Sequence, residues 1–387
     1  MLRTGSRLAV LCASALLVAA LAPTAAGAGA QSADAADAAL EKAMAQLVAK
    51  RDGPPGVAAV VQRVDDVQLH SAGTADLATD APFDIDDFMR MASVAKAFSG
   101  AAALAVVADG QLALTDTIGD RLPDLPEAWH EVTLAQLLQH TSGLPDFSSS
   151  ESFQQAVTAD PLTPPPPVQL LSYVEDLPLD FDPGTKYRYS NSDNIAVGLM
   201  VEQATGQRYA DVLAEKVYAP LGLTATSLPE GADLPTPYIH GYFVEPDSPP
   251  EDASVGVFAA GWAWASGGIV STPAEANRFV RGYAAGETTD EATYGAQFKF
   301  VKGHSEPTGP GKNTAGLGIF RYKTKCGTVF GHTGNTPGYT QFIASTKDGT
   351  RSATVTATMV LTQKSDPKGF PGLRNVFEAA TCAALAE

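Results

Sequence analysis

The stretch ASVAKAFSGAAAL, residues 92–104, sets a serine and a lysine three positions apart at the head of an apolar helix. Val94, Ala97, Phe98, Ala101 and Leu104 give that helix one apolar face, and Asp109-Gly110 ends it with glycine where a left-handed cap is wanted. A serine at a helix N-terminus meets the positive end of the macrodipole, which favours a developing alkoxide. Lys96 lies on the same face as Ser93. If it is desolvated, its pKa falls and it can take the hydroxyl proton. Ser-x-x-Lys alone is a cheap pattern, since capping serines and surface lysines are common. The rest of the chain decides its meaning.

Working outward, residues 37–51 have helical periodicity and stop at Gly53-Pro54-Pro55-Gly56. GVAAVVQRV and DVQLHSAGTA read as two strands joined by a short turn near Asp65-Asp66. The middle of the chain reads as helices and long loops, among them the proline run at 159–167 and an acidic, proline-rich stretch at 229–252. The last third returns to strands in GGIVST, GLGIFRY, GTVFGHT, TQFIAST and SATVTATMVL, and FPGLRNVFEAATCAALA closes as a helix. The fold class is therefore α+β. One antiparallel sheet flanked by helices is built from both chain ends, and a mostly helical lobe, about residues 110–255, is inserted between them. A cleft between the two lobes is the natural place for a site.

The chain has 387 residues, 45% hydrophobic, and a formal charge of −17, which disfavours nucleic acid or an anionic membrane as a main partner. Arg3 and Arg7, the apolar run 8–21 and Ala28-Gly29-Ala30 read as a signal peptide over about residues 1–30, leaving a mature domain from 31 to 387. No later segment is long and apolar enough to span a bilayer. The expectation is a secreted protein with no stable membrane anchor, a monomer by default. Cys12 leaves with the signal; Cys326 and Cys382 remain, and two cysteines in an exported chain point to one disulfide.

Two further clusters carry chemistry. In Tyr187-Arg188-Tyr189-Ser190-Asn191-Ser192-Asp193-Asn194, a phenol placed by a cleft can relay protons, and an amide two residues on can hold a substrate carbonyl. Ser192 or Asp193 reads as the N-cap of the helix that follows, so Tyr189-x-Asn191 is preferred over Ser192-Asp193-Asn194 as the working motif. In Gly331-His332-Thr333-Gly334-Asn335, a strand edge ending in small residues offers N–H groups. The N–H of Asn335 with that of Ser93 makes an oxyanion hole.

In this order S-V-A-K, Y-S-N and H-T-G resemble the three motifs of the serine penicillin-recognising family: class C-type β-lactamases, D-alanyl-D-alanine carboxypeptidases and related esterases. HTSGLPD at 140–146, FDPGTKYRYSN, EQATGQRY, APLGLTAT and GHTGNTPGYTQF extend the resemblance over nearly all of the mature chain. It implies a β-lactamase/transpeptidase-like fold and an acyl-enzyme on Ser93. Lys96 and Tyr189 share the proton transfers, and Asn191 orients the acyl amide. His332 tunes Tyr189, Thr333 beside Gly334 meets a ligand carboxylate, and Phe153 and Trp262 form apolar walls. The histidine of H-T-G leans toward the carboxypeptidase branch. That implies cell-wall stem peptides as substrate and β-lactams as inhibitors or substrates. One departure stands out. Where such carboxypeptidases carry an arginine to hold the terminal carboxylate, this chain has Phe320, with Arg321 one step along and facing the other side.

The rival readings are an esterase or other amidase of the same fold, a class C-type β-lactamase, and a non-catalytic wall- or penicillin-binding protein. A G-x-S-x-G hydrolase is excluded, because that motif does not occur in the chain. No H-E-x-x-H or C-x-x-C occurs, so neither metal nor cofactor is expected.

Overall fold

The computed structural model describes residues 1–2 and 32–387; apart from its first two residues, the expected signal segment lies outside the described residues. Among the described residues no helix is long and apolar enough to cross a membrane.

Among the described residues twelve strands form in chain order. β1 (Gly56–Arg63) and β2 (Asp66–Gly73) make the N-terminal hairpin. β3 (Met89–Arg90) pairs with β6 (Val270–Ser271), and β4 (Tyr242–Phe243) with β5 (Glu251–Asp252). The C-terminal third supplies β7 (Val301–Lys302), β8 (Lys312–Ala315), β9 (Phe320–Lys323), β10 (Thr328–Thr336), β11 (Tyr339–Ser345) and β12 (Arg351–Ala357). The main sheet has eight strands in the order β2-β1-β12-β11-β10-β9-β8-β7, and every adjacent pair is antiparallel. β1 and β12 pair next to the β2 edge, although one comes from each end of the chain. This is the sheet the sequence called for, with helices segregated against it.

The strand patterns follow from position. β1 and β11 are buried almost throughout, since both of their faces are covered, and their residues are largely apolar. β2 lies at an edge and is mostly exposed, with polar residues at Asp66 and Ser71, while His70 turns inward. Helices Ala33–Val48 and Phe370–Leu385 pack on each other and on the sheet. Their apolar side chains join Val57, Val61, Phe342 and Val355 in one core. Helices Ala95–Ala108 and Pro273–Ala285 belong to a second core with Phe98, Phe279, Ile343 and the helices of the middle segment. A disulfide joins Cys326 to Cys382, with the Cα atoms 5.2 Å apart, and ties the β9–β10 turn to the C-terminal helix.

Two local expectations change. The helix after Ser93 is buried on twelve of its fourteen residues rather than along one face, because it runs through the core between the sheet and the helix Asn191–Thr205. The helix predicted to be capped by Ser192 or Asp193 begins two residues earlier, with Ser190 as its N-cap. Ser192 and Asp193 lie in its first turn and point inward, where Ser192 Oγ donates to Pro145 O and Asp193 meets His140. Tertiary partners outbid local capping there.

Candidate active site

Ser93 sits in a single 3-10 turn, Ala92–Val94, that feeds the buried helix. The turn is entered through Ala92 at φ +52°, a left-handed conformation that costs a residue with a Cβ about 1–2 kcal/mol. β10 runs directly against this turn. A Cβ on Gly334 would lie 2.7 Å from Ser93 N and 2.9 Å from both Met91 O and Val94 N. Only glycine lets the strand come that close, so Gly334 sets the distance between the serine and the strand that carries Asn335.

Lys96 is 1% exposed, and its Nζ donates to Ser93 Oγ at 3.2 Å, Asn191 Oδ1 at 2.7 Å and Ser266 O at 2.7 Å. Burial pulls its pKa down to about 7; the carboxylates of Asp146, Asp193 and Glu306 oppose that fall. The lysine thus stands near the balance between ammonium and free base at neutral pH, one hydrogen bond from a hydroxyl.

Tyr189 is 9% exposed, and Lys96 Nζ lies 5.0 Å above its ring. Burial pushes the phenol well above its usual range, an effect the Ser93 hydroxyl opposes. The two hydroxyls are close enough to interact, yet the phenol has no partner in hydrogen-bonding geometry. It is a neutral O–H with a free bonding position in the cleft.

The Tyr189 ring packs on His140 at 4.5 Å between centroids, and His140 Nδ1 is 2.7 Å from Asp193 Oδ2. Ser142 Oγ donates to the other oxygen of Asp193 at 2.5 Å. Burial, assisted by the Lys96 charge, lowers His140 to about 3, and burial raises Asp193 well above the carboxylate range. Burial thus disfavours the charged form of each partner. This pair supports the phenol from below and adds no net charge next to Lys96.

Asn191 is spent on both ends. Its Oδ1 accepts from Lys96, and its Nδ2 donates to Ser148 Oγ at 2.8 Å and to Asp146 at 3.2 and 3.3 Å. His332 is buried with Nδ1 against its neighbour's carbonyl, Thr333 O, at 2.5 Å. Its ring lies 6.4 Å from Tyr189, and burial lowers its pKa to about 3. Thr333 is fully buried and donates its hydroxyl to Pro307 O at 2.5 Å.

These residues surround a cleft of about 550 Å³. Ser93, Tyr189, Asn191, Asn335, Phe153 and Trp262 line it, whereas His332, Thr333 and Gly334 lie behind its wall. Phe153 and Trp262 also pack edge to face at 5.7 Å, so each is both core and wall. Sequence reading missed Asp146, Ser148 and Glu306, which line the cleft, and Ser266, whose carbonyl holds Lys96. Asp146 closes the quoted HTSGLPD run; Glu306 lies in a Gly/Pro-rich loop with no motif to mark it.

The two carboxylates face a common space. Burial raises Glu306, and the charge of Asp146 raises it further, while His304 and Lys96 work the other way. Lys364 is the only Lys or Arg among the residues that line the cleft. Phe320 and Arg321 do not reach it. The register sets Phe320 opposite Gly331 and Arg321 opposite Phe330 without a bulge. Arg321 donates to Thr314 Oγ1 at 3.1 Å and stacks over Phe300 at 4.4 Å. The carboxylate clamp that the sequence put in doubt is missing from this strand.

A buried lysine bonded to a serine at a strained turn, a neutral tyrosine beside them and a strand edge opposite make an arrangement that can carry serine acyl transfer. The chain belongs to the Beta-lactamase family, whose sequence pattern matches residues 38–381. This is the serine penicillin-recognising family, whose members are serine hydrolases. Among curated proteins the chain is 26% identical over 290 residues to penicillin-binding protein 4* of Bacillus subtilis (strain 168), covering 70% of this chain and 60% of that one. It is 31% identical over 191 residues to a D-aminopeptidase of Brucella anthropi, covering 49% and 36%. The matches thus span less than two thirds of these relatives. Among solved structures, a D-stereospecific amidohydrolase from Streptomyces sp. superposes with a TM-score of 0.77 at 26% identity, over 89% of this chain and 98% of that one. D-amino acid amidase from Ochrobactrum anthropi SV3 shares the fold, with a TM-score of 0.76 at 23% identity over 89% and 99%.

Proposed function

We propose that this chain is a serine amide hydrolase acting on D-amino-acid amides or peptides whose α-ammonium group is free. The observation that carries the reading is the pair of carboxylates, Asp146 and Glu306, in the wall of the Ser93 cleft. The charge of Asp146 raises the cost of ionising Glu306, so a substrate cation placed beside them is favoured. The relatives named D-aminopeptidase and D-stereospecific amidohydrolase point the same way.

In this reading the free base of Lys96 takes the Ser93 proton as Oγ forms its bond to the substrate carbonyl carbon. The N–H groups of Ser93 and Asn335 hold the oxyanion. Asn191 orients the acyl portion, and Tyr189 passes a proton to the departing amine as the C–N bond breaks, recovering one from the Lys96 ammonium. Water then releases the acid from Ser93. His332 and Thr333 act from behind, His332 by fixing the surroundings of Tyr189 and Thr333 by fixing the loop at Pro307. A signal segment over residues 1–30 delivers the protein to the cell exterior, where D-amino-acid compounds of the wall are at hand.

A second reading, a D-alanyl-D-alanine carboxypeptidase, is favoured by Lys364, which can meet a terminal carboxylate at the cleft. The two readings separate on three substrates: D-phenylalanine amide, its N-acetyl derivative, and an N-acylated D-alanyl-D-alanine peptide. Faster turnover of the free-ammonium amide supports the first. Release of D-alanine from the acylated peptide at a higher kcat/KM overturns it in favour of the second.

A further inference from the structure

The loop Gly303–Thr308 serves two hollows. Glu306 lines the cleft, whereas Gly303, His304 and Thr308 line a neighbouring groove of about 800 Å³. Lys186, Lys302 and Lys312 also line the groove, and no aspartate or glutamate does. All three lysines are exposed. Among the described residues the ion-paired lysines are Lys216 and Lys325, so these three have no carboxylate partner within 4.0 Å. Lys312 also stands directly opposite Lys323 across β8 and β9, a like-charge pairing that works against the sheet.

The sequence shows the same reversal of sign. Residues 299–325 contain six Lys or Arg and one Glu, in a chain that has 26 Lys and Arg against 43 Asp and Glu. A basic groove kept unneutralised in an acidic protein is the electrostatic footprint of an anion site. Its donors are ammonium groups, which act as point charges and suit a tetrahedral phosphate; the guanidinium forks that match planar carboxylates are missing from its lining. Tyr187, whose hydroxyl donates to His304 O at 2.5 Å, holds the loop that forms one wall. The groove has room for more than one anionic group, and its charges come from three separate segments.

We propose that this groove binds a phosphate-bearing polymer chain, seated on Lys186, Lys302 and Lys312. The proposal is independent of the reaction at Ser93. The probe is a short linear polyphosphate titrated against the whole protein at several salt concentrations, with poly-L-glutamate of matched charge as the comparison. Binding is expected to weaken as salt rises. Lys302→Ala with Lys312→Ala should lower affinity about tenfold and reduce the salt slope by about 1 to 2. Lys42→Ala with Lys368→Ala removes the same charge elsewhere and should change affinity no more than about twofold. Thermal unfolding of each variant checks the fold; if the groove pair misfolds, Lys186→Ala alone should still reduce the slope by about 1. Three results overturn the proposal: no salt-sensitive binding of polyphosphate, an equal loss in the control pair, or tighter binding of poly-L-glutamate.

Discussion

The cleft and the groove share one loop and differ in how their charges are held. In the cleft, Lys96 is buried and donates three hydrogen bonds, and burial disfavours the charged forms of the His140–Asp193 pair beneath it. In the groove, the lysines are exposed and donate none among the described residues. A charge out of water shifts its protonation and can do acid–base work, whereas a charge in water only attracts. Substitutions in the cleft should therefore change rates and pH profiles. Those in the groove should change salt-sensitive binding and leave hydrolysis alone.

The largest expected effect is at the nucleophile. Ser93→Ala should lower kcat/KM for amide hydrolysis on the order of 10⁴-fold, read by product release, without shifting the unfolding midpoint downward. Next comes the strand that abuts it. Gly334→Ala must move either β10 or the Ser93 turn, and a displacement of that kind should cost about 10²-fold in kcat with the fold retained by circular dichroism.

The lysine sets the pH dependence. Its working form is the free base, so kcat/KM should rise with pH through about 7 and level off above. Asp146 raises the Lys96 pKa, so Asp146→Asn should move that acid limb to lower pH. A limb that stays in place would break the assignment of Lys96 as the base. The smallest effect sharpens substrate choice. Glu306→Gln should raise KM about tenfold for an amide with a free ammonium group, with little change for its N-acetyl derivative. The groove pair Lys302→Ala with Lys312→Ala should alter neither value.

The fold was legible because both chain ends carry strand patterns and the middle does not. β1 pairing with β12, one strand from each chain end, is the join that division demanded. Ser93, Lys96 and Tyr189 were legible through spacing and order, and the structure brings them together. Asp193 was misread as a cap because its partner, His140, lies 53 residues away in sequence, and local propensity does not register such a partner. Asp146 and Glu306 were missed because a carboxylate in a loop reads as solvated until a fold closes around it. The left-handed turn at Ala92 left no trace, since alanine is an unremarkable residue in every other setting. The groove was overlooked because a net charge of −17 describes the whole chain and hides a local stretch of opposite sign.

The proposed chemistry rests on a nucleophile at Ser93 that forms a covalent acyl-enzyme. The most direct test is the intact mass of the folded protein after incubation with a penicillin, followed by peptide mapping. One equivalent of adduct is expected, located on Ser93 and lost in Ser93→Ala. A folded protein that gains no mass on the penicillin and turns over neither amide nor peptide would contradict it.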